Sequence, residues 1–215
     1  MATRTKATER RTARAAPATD RGEVTRRHIL EVAAAGFAES GFAGTSLNDV
    51  IKQAGVTKGG FYFHFRSKGS LAVEVIRHKQ EQWAGRVISA SLQHATANER
   101  LMAVPRALCD LYEQDPAAKS ISRLCMELSE DRTLAPELWR QFGTWIELTS
   151  SLVRASQQEG SIRDDVDADL VGEYLVTTFI GTECMADMAS AGADMRERVE
   201  RHIALCQTLF QPSTV

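Results

Sequence analysis

Apolar residues recur at helical spacing from Val24 onward. The first stripe consists of Ile29, Leu30, Ala33, Ala34 and Phe37. Positions i, i+1, i+4, i+5 and i+8 lie on one face of a helix, so this stripe predicts an amphipathic helix that buries that face. Ser40 and Gly41 are expected to end the helix, because glycine readily adopts the left-handed conformation found just beyond a helix.

Two short helices joined by a glycine turn are predicted to follow. Ser46 is a favourable N-cap residue for the first of them. The apolar positions after it have helical spacing and are Leu47, Val50, Ile51 and Ala54. Gly55 suits a tight turn, and Thr57 then caps a second helix that extends to Phe65. This arrangement over about residues 45–65 is typical of a helix-turn-helix, whose second helix enters the major groove of DNA.

The rest of the chain keeps helical spacing, and no segment shows the alternation of a strand. Ser67 is expected to cap the next helix, and Pro105 to kink or split a later one. Residues 170–181 are apolar nearly all round, which indicates contact with both the core and a partner chain. The last helix carries an apolar seam from Val199 to Phe210. The pattern predicts an all-α protein of about nine helices.

Charge divides the chain into two parts. Residues 1–68 contain 12 Lys and Arg against 6 Asp and Glu, whereas residues 69–215 contain 14 against 22. A basic N-terminal third suits a polyanion such as DNA. Residues 1–21 are predicted to be a flexible arm that is either simply solvated or follows DNA phosphates. The predicted units are therefore the basic arm at 1–21, a helix-turn-helix domain at 22–82 and a helical regulatory and dimerisation domain at 83–215.

Several polar residues of the helix-turn-helix have the chemistry that DNA contacts require. The hydroxyls of Thr45, Ser46 and Thr57 stand at helix N-termini, which favour phosphate. Lys58 is at the exposed start of the recognition helix and is the candidate reader of base edges. Gly59 carries no side chain and would let the backbone come close to the duplex.

Five aromatic rings follow one another from Phe61 to Phe65. We expect Phe61, Phe63 and Phe65 to belong to the core, and Tyr62 and His64 to present polar tips on the opposite side. His64 alone would be interpreted as a partly exposed turn histidine, but its neighbours favour a role at DNA. Lys68, at the start of the next helix, is expected to add a phosphate contact.

Residues 26–76 resemble the DNA-binding domain of the TetR family. The most specific part is Gly55-Val56-Thr57-Lys58-Gly59 followed by Tyr62-Phe63-His64-Phe65. The positions that match DNA-contacting residues of the family are Thr45, Thr57, Lys58, Tyr62, His64 and Lys68. Gly60 stands where alanine is common, so the recognition helix is expected to be less stable. Gly69 stands where many members have glutamate, so the N-terminus of the next helix is expected to be less well stabilised.

The resemblance also implies the function of the remaining two thirds. Family members are all-α homodimers, so we expect residues of about 167–190 and 194–210 to form the dimer interface. Two recognition helices would then meet double-stranded DNA at an inverted repeat. The resemblance further implies a repressor that is cytoplasmic and that a small-molecule inducer releases from its operator.

A second resemblance concerns the ligand. The stretch from Trp139 through Trp145 to Val199 is similar to the γ-butyrolactone autoregulator receptors of actinomycetes, in which a tryptophan matching Trp145 lies in the signal pocket. We predict Phe142, Thr149 and Phe179 as its neighbours in that pocket, although the helical spacing of Trp145 fits core packing equally well. Two alternatives stay open: a TetR-like factor with no inducer, of pseudo-receptor or architectural type, and a chain that no longer binds DNA.

Other classes of function find no support in the sequence. No stretch reaches the roughly 18 uninterrupted apolar residues of a membrane span, and no phosphate loop or nucleophile elbow is present. The acidic run 164–169 resembles the opening of a calcium loop, but Leu170 and Val176 occupy the positions that need Gly and Glu. We therefore predict no catalytic residue, cofactor or metal. The cysteines are expected to be reduced and buried; they are Cys109, Cys125, Cys184 and Cys206.

Overall fold

The computed structural model describes residues 18–212, and nine helices account for most of them. They are α1 (Ala18–Gly44), α2 (Leu47–Gln53), α3 (Lys58–His64), α4 (Lys68–Ser91), α5 (Ala97–Gln114), α6 (Pro116–Ser129), α7 (Ala135–Gln158), α8 (Ala168–Ser190) and α9 (Met195–Leu209). The predicted all-α fold is confirmed. Within the same residues, no helix combines the length and the apolar run needed to cross a bilayer.

Helix α1 anchors the N-terminal unit. Its stripe from Ile29 to Phe37 is buried against α2, α3 and α4, as the spacing predicts. The predicted end at Ser40 and Gly41 is partly wrong: Gly41 has a φ of 67° and breaks the helix, but one further turn continues to Gly44. Most of the predicted arm at 1–21 falls outside the described residues, and its last residues, 18–21, belong to α1.

Local capping agrees with the sequence at some helix starts and not at others. The Thr57 side chain accepts a hydrogen bond from the Gly60 backbone N–H at 3.0 Å, so it caps α3 as predicted. Ser46 precedes α2 without a capping hydrogen bond from its side chain. Ser67 and Ser70 form a reciprocal capping box at the N-terminus of α4. The prediction that this N-terminus is less well stabilised is therefore wrong.

Pro105 does not split the helix that contains it, so only the expectation of a split is wrong. α5 runs unbroken from Ala97 to Gln114. A proline inside a helix costs about 3 kcal/mol, since it lacks an N–H donor and crowds the preceding turn. Burial of Met102, Val104 and Cys109 on either side of it offsets this cost.

The C-terminal unit is held together chiefly by α7 and α8, which form the most extensive helix pair of the described chain. Gly172 of α8 lies directly against Ser150 of α7. A Cβ atom at position 172 would come within 2.8 Å of the Ser150 nitrogen and 2.9 Å of its Cα. The acidic run before α8 is the charged turn that the sequence predicts, because the Asp167 carboxylate accepts hydrogen bonds from the N–H groups of Asp169 and Leu170.

Candidate DNA-binding surface and ligand cavity

Helix α3 is fixed by two buried aromatic rings. Phe61 is fully buried and Phe65 is 2% exposed, and both belong to the core formed by α1, α2 and α4. Their ring centroids lie 5.6 Å apart. Since these two rings hold one side of α3 against the domain, its opposite side is turned outward.

Phe63 is not a core residue, and the prediction that placed it there is wrong. Its side chain is 83% exposed. Residues 61 and 63 are about 200° apart around a helix, so a helical segment cannot bury both on one side. Burial of positions 61, 63 and 65 together would require the alternation of a strand. The outward surface of α3 therefore consists of Lys58, Gly59, Tyr62 and Phe63.

The other predicted DNA contacts have different surroundings. Tyr62 is half exposed, and its hydroxyl forms no hydrogen bond within residues 18–212. His64 is partly buried, with its ring edge-on to that of Phe63 at 5.0 Å. Ser46 and Thr57 are exposed. The structure thus brings Ser46, Thr57, Lys58 and Tyr62 to the surface at and beside the helix-turn-helix.

Thr45 is the exception among the predicted contacts. Its side chain is buried, and its hydroxyl lies 2.9 Å from the Gly36 carbonyl oxygen and 2.7 Å from that of Gly41. A hydroxyl that donates to these oxygens has no proton directed at solvent. This geometry argues against a phosphate contact from the Thr45 side chain and gives it a structural role at the break in α1.

Lys68 lies over the same break. Its ammonium stands 4.6 Å from the centroid of the Phe42 ring and 3.4 Å from the Ala43 carbonyl oxygen. The pKa of Lys68 is lowered, because the effect of partial burial exceeds the opposite effect of the nearby Glu127 carboxylate. Glu127 belongs to α6 and accepts a hydrogen bond from the Phe42 N–H at 2.9 Å, so a residue of the C-terminal unit directly contacts the DNA-binding unit.

A polar cluster joins α1 to α4. Glu31 accepts hydrogen bonds from Lys79 at 2.5 Å and from His78 at 2.9 Å. Burial alone would raise the pKa of Glu31, but these two partners lower it below its ordinary value. The carboxylate is therefore ionised at neutral pH and holds α4 at a fixed position on α1.

An apolar cavity opens between α4 and the helices of the C-terminal unit. Its volume is about 140 Å³, comparable with an apolar cavity that holds a benzene-sized molecule. All four residues predicted for a ligand pocket line it, and they are Phe142, Trp145, Thr149 and Phe179. Residues that lie far apart in sequence thus converge on one space.

The cavity also has polar groups that the sequence pattern did not reveal. The Tyr112 hydroxyl lies 3.1 Å from both the Glu183 carboxylate and the Ser122 hydroxyl, and burial raises its pKa well above the ordinary value. The Oε1 atom of Gln80 is buried and has no hydrogen-bond partner within residues 18–212. An acceptor of this kind needs a donor, which a ligand hydroxyl could supply.

An exposed apolar stripe runs along α8. Its members fall on one face at helical spacing and are Leu170, Tyr174, Gly181, Met185 and Met188. This outward face agrees with the prediction that residues 170–181 pack on two sides. The predicted seam of α9 is different, because Val199, Ile203 and Cys206 are buried within the chain itself, and Leu205 and Leu209 face outward instead.

Three of the four cysteines are buried, and one is not. Burial raises the pKa of Cys109 to about 11 and that of Cys125 to about 12, and it also raises the pKa of Cys206. Cys184 is exposed on α8, which corrects the prediction for that residue. It lies on the outer side of a helix whose sequence is apolar on both sides, so its burial could not be judged from the pattern.

Comparisons with known proteins agree with this architecture. Residues 29–75 match the model of the bacterial regulatory proteins of the tetR family, and residues 85–209 match that of the tetracyclin repressor-like C-terminal domain. The HTH-type transcriptional repressor DhaR of Mycobacterium sp. (strain GP1) is 29% identical over 182 residues, which cover 82% of this chain and 84% of DhaR. The A-factor receptor protein of Streptomyces griseus is 26% identical over 185 residues, which cover 82% of this chain and 61% of that protein.

A solved structure gives the same result at the level of the fold. It is described as the molecular basis for control of antibiotic production by bacterial hormones, and it has a TM-score of 0.75 and 28% identity. The match covers 87% of this chain and 97% of the other. With a helix-turn-helix at α2 and α3, a helical C-terminal unit and both family models matched, the chain belongs to the TetR family of DNA-binding transcriptional repressors.

Proposed function

We propose that this repressor holds an inverted-repeat operator as a homodimer and releases it when an apolar small molecule occupies the cavity. The observation that carries the proposal is the position of α4. This helix begins at Lys68, beside the DNA-binding surface, and lines the cavity through Gln80 and Trp83. A ligand in the cavity would therefore act on the same rigid element that positions α3.

The DNA contacts are proposed from the exposed polar groups. Lys58 is proposed to read base edges, with Gly59 allowing close approach of the backbone to the duplex. Phosphate contacts are proposed for the remaining polar residues of this surface, which are Ser46, Thr57, Tyr62, His64 and Lys68. Thr45 is proposed to order the break in α1 rather than to touch DNA, because its hydroxyl is directed inward.

The dimer is proposed to form through the exposed face of α8 together with Leu205 and Leu209 of α9. A row of exposed, mostly apolar residues along one helix face is typical of a protein interface. Gly181, in the middle of the stripe, has no atom of the chain near the position of a Cβ. It would allow the α8 helices of two copies to approach closely.

The inducer is proposed to be a γ-butyrolactone or a similar lipophilic molecule with few polar groups. Support comes from the apolar lining, from the buried acceptor at Gln80, and from the similarity to the A-factor receptor protein of Streptomyces griseus. The cavity also argues against the alternative of a factor with no inducer, because close-packed interiors leave few voids of this size.

Selection of operator DNA followed by ligand titration tests the proposal. The purified protein is used to select duplexes from a random pool, and complexes with the selected duplex are titrated with synthetic A-factor and simple alkyl γ-butyrolactones. Release of DNA together with a rise in melting temperature is expected. If a selected duplex stays bound and the melting temperature does not change, the chain is a repressor without an inducer of this class.

Paired tryptophan variants localise the ligand. Trp145 lines the cavity, whereas Trp139 of the same helix is 63% exposed and lies outside it. Trp145→Ala is expected to raise the ligand concentration needed for release at least about tenfold, since it removes a large aromatic contact. Trp139→Ala should leave that concentration unchanged. Equal effects of the two variants would place the ligand elsewhere.

The role of Lys58 is tested by its effect on sequence discrimination. Lys58→Ala is expected to weaken binding to the selected operator by about 1–3 kcal/mol and to reduce the preference over one mutated base pair. Arg140→Ala on α7 removes a charge outside this surface and serves as the matched control. Equal weakening on specific and unrelated duplexes, with a smaller salt dependence, would make Lys58 a phosphate contact instead.

The site of action is proposed to be the bacterial cytoplasm, since the operator is chromosomal DNA. We also propose that the chain acts by binding alone, without catalysis, because a repressor is controlled by the relative affinities of its ligands for two states. Recovery of the inducer in chemically unchanged form after DNA release checks this point. Turnover of the inducer would contradict it.

A further inference from the structure

Phe63 is the largest apolar group on the outward surface of α3. At 83% exposure it is the most exposed of the large hydrophobic side chains in the described chain. Its neighbours Phe61 and Phe65 are buried, so this exposure follows from the helical position and not from a general lack of packing. Exposure of a phenyl ring to water is unfavourable, so its burial against a partner would lower the free energy.

Two features describe the surroundings of this ring. The His64 ring lies edge-on to it, with centroids 5.0 Å apart and an interplanar angle of 84°. Gly59, one helical turn earlier, has no atom within 4 Å of the position of a Cβ, so the backbone at this point is uncovered. The outward surface of α3 therefore combines an exposed apolar ring with an uncovered stretch of backbone.

The chemistry of the phenyl group restricts what it can recognise. It has no donor or acceptor, so it cannot form a hydrogen bond with a phosphate oxygen or with the polar edge of a base. The apolar group that the major groove presents is the C5-methyl of thymine, which side chains such as phenylalanine contact. Lys58 and Tyr62 are also exposed on α3 and carry the polar groups of this surface.

We propose that Phe63 packs against a thymine C5-methyl group in each half of the operator and is thereby a specificity-determining residue. The proposal rests on the proposed binding of operator DNA through α3. It assigns the sequence preference of the repressor to two different kinds of group: Lys58, which reads hydrogen-bonding edges, and Phe63, which reads a methyl group.

Deoxyuridine tests this proposal directly, because it differs from thymidine only by the methyl group. Thymines of one half of a selected operator are replaced by deoxyuridine one at a time, and the Kd of each duplex is measured at fixed salt for the wild type and for Phe63→Ala. At one position we expect the wild type to bind about fourfold more weakly, which corresponds to one buried methyl group. Phe63→Ala should bind the two duplexes equally.

The controls separate the possible failures. Phe63→Leu keeps an apolar contact and is expected to retain part of the sensitivity to deoxyuridine, and circular dichroism checks that both variants are folded. If every deoxyuridine duplex binds the wild type as the parent does, or if Phe63→Ala shows the same loss, the thymine contact is overturned. Failure to select any duplex from the random pool would instead contradict DNA binding itself.

Discussion

Replacement of Gly172 by alanine is expected to lower the free energy of unfolding by about 1–3 kcal/mol. The added methyl group would lie 2.8 Å from the backbone nitrogen of Ser150 and 2.9 Å from its Cα, distances that Cβ atoms do not tolerate. Because the obstacle is backbone and not the end of a flexible side chain, α7 and α8 must move apart. Chemical denaturation of the purified protein measures the loss.

Gly85 provides the matched control for this substitution. It also lies inside a long helix, but no atom stands within 4 Å of the position of its Cβ. Gly85→Ala is therefore expected to stabilise the protein by up to about 1 kcal/mol, through helix propensity alone. If Gly172→Ala were as stable as the wild type, the close packing of α7 on α8 would be contradicted.

Introduction of arginine at Gly181 is expected to separate the dimer and to weaken operator binding by about 10²- to 10⁴-fold. The position lies at the centre of the exposed apolar stripe of α8, and within one chain it has no neighbour that a side chain would meet. The variant should therefore fold normally, while the charged side chain keeps a second α8 from approaching. A lone chain loses the joint binding of two half-sites, which accounts for the large effect.

Sedimentation and DNA titration together measure this result. Gly85→Arg places the same side chain at an open position on α4 and should remain a dimer. The two proteins are also compared on a duplex with a single half-site, where their affinities should be similar. A Gly181→Arg protein that sediments as a dimer would show that the interface lies elsewhere on the surface.

The sequence predicts local structure well where the helical period of apolar residues determines it. The stripe from Ile29 to Phe37 and the turn at Gly55 follow from helical spacing and from backbone conformation, and both are present. The error at Phe63 shows the limit of composition as a guide. Phe61, Phe63 and Phe65 were all expected in the core because of their chemistry, but the helical period of α3 directs Phe63 to solvent.

Properties that arise between helices could not be predicted from one sequence. Pro105 is tolerated because buried neighbours offset its cost, and Gly172 is required because Ser150 lies opposite it, and neither fact is visible in a local pattern. The four predicted cavity residues were found because the family resemblance included Trp145 and Phe179, and because Phe142 and Thr149 lie at helical spacing from Trp145. Gln80 was missed because it is a polar residue of α4 that was not part of the receptor resemblance.

The hydrogen bond between Glu127 and the Phe42 N–H bears on how such repressors can be recombined into sensors. Glu127 belongs to α6, whose Ser122 and Cys125 line the cavity. Phe42 follows the break at Gly41 in α1. A chimera that fuses α1–α4 of this chain to the ligand-binding domain of another member keeps this hydrogen bond only if that member has an acceptor at the position of Glu127. A graft that retains the carboxylate of α6 together with α1–α4 is therefore expected to preserve the contact between the two units.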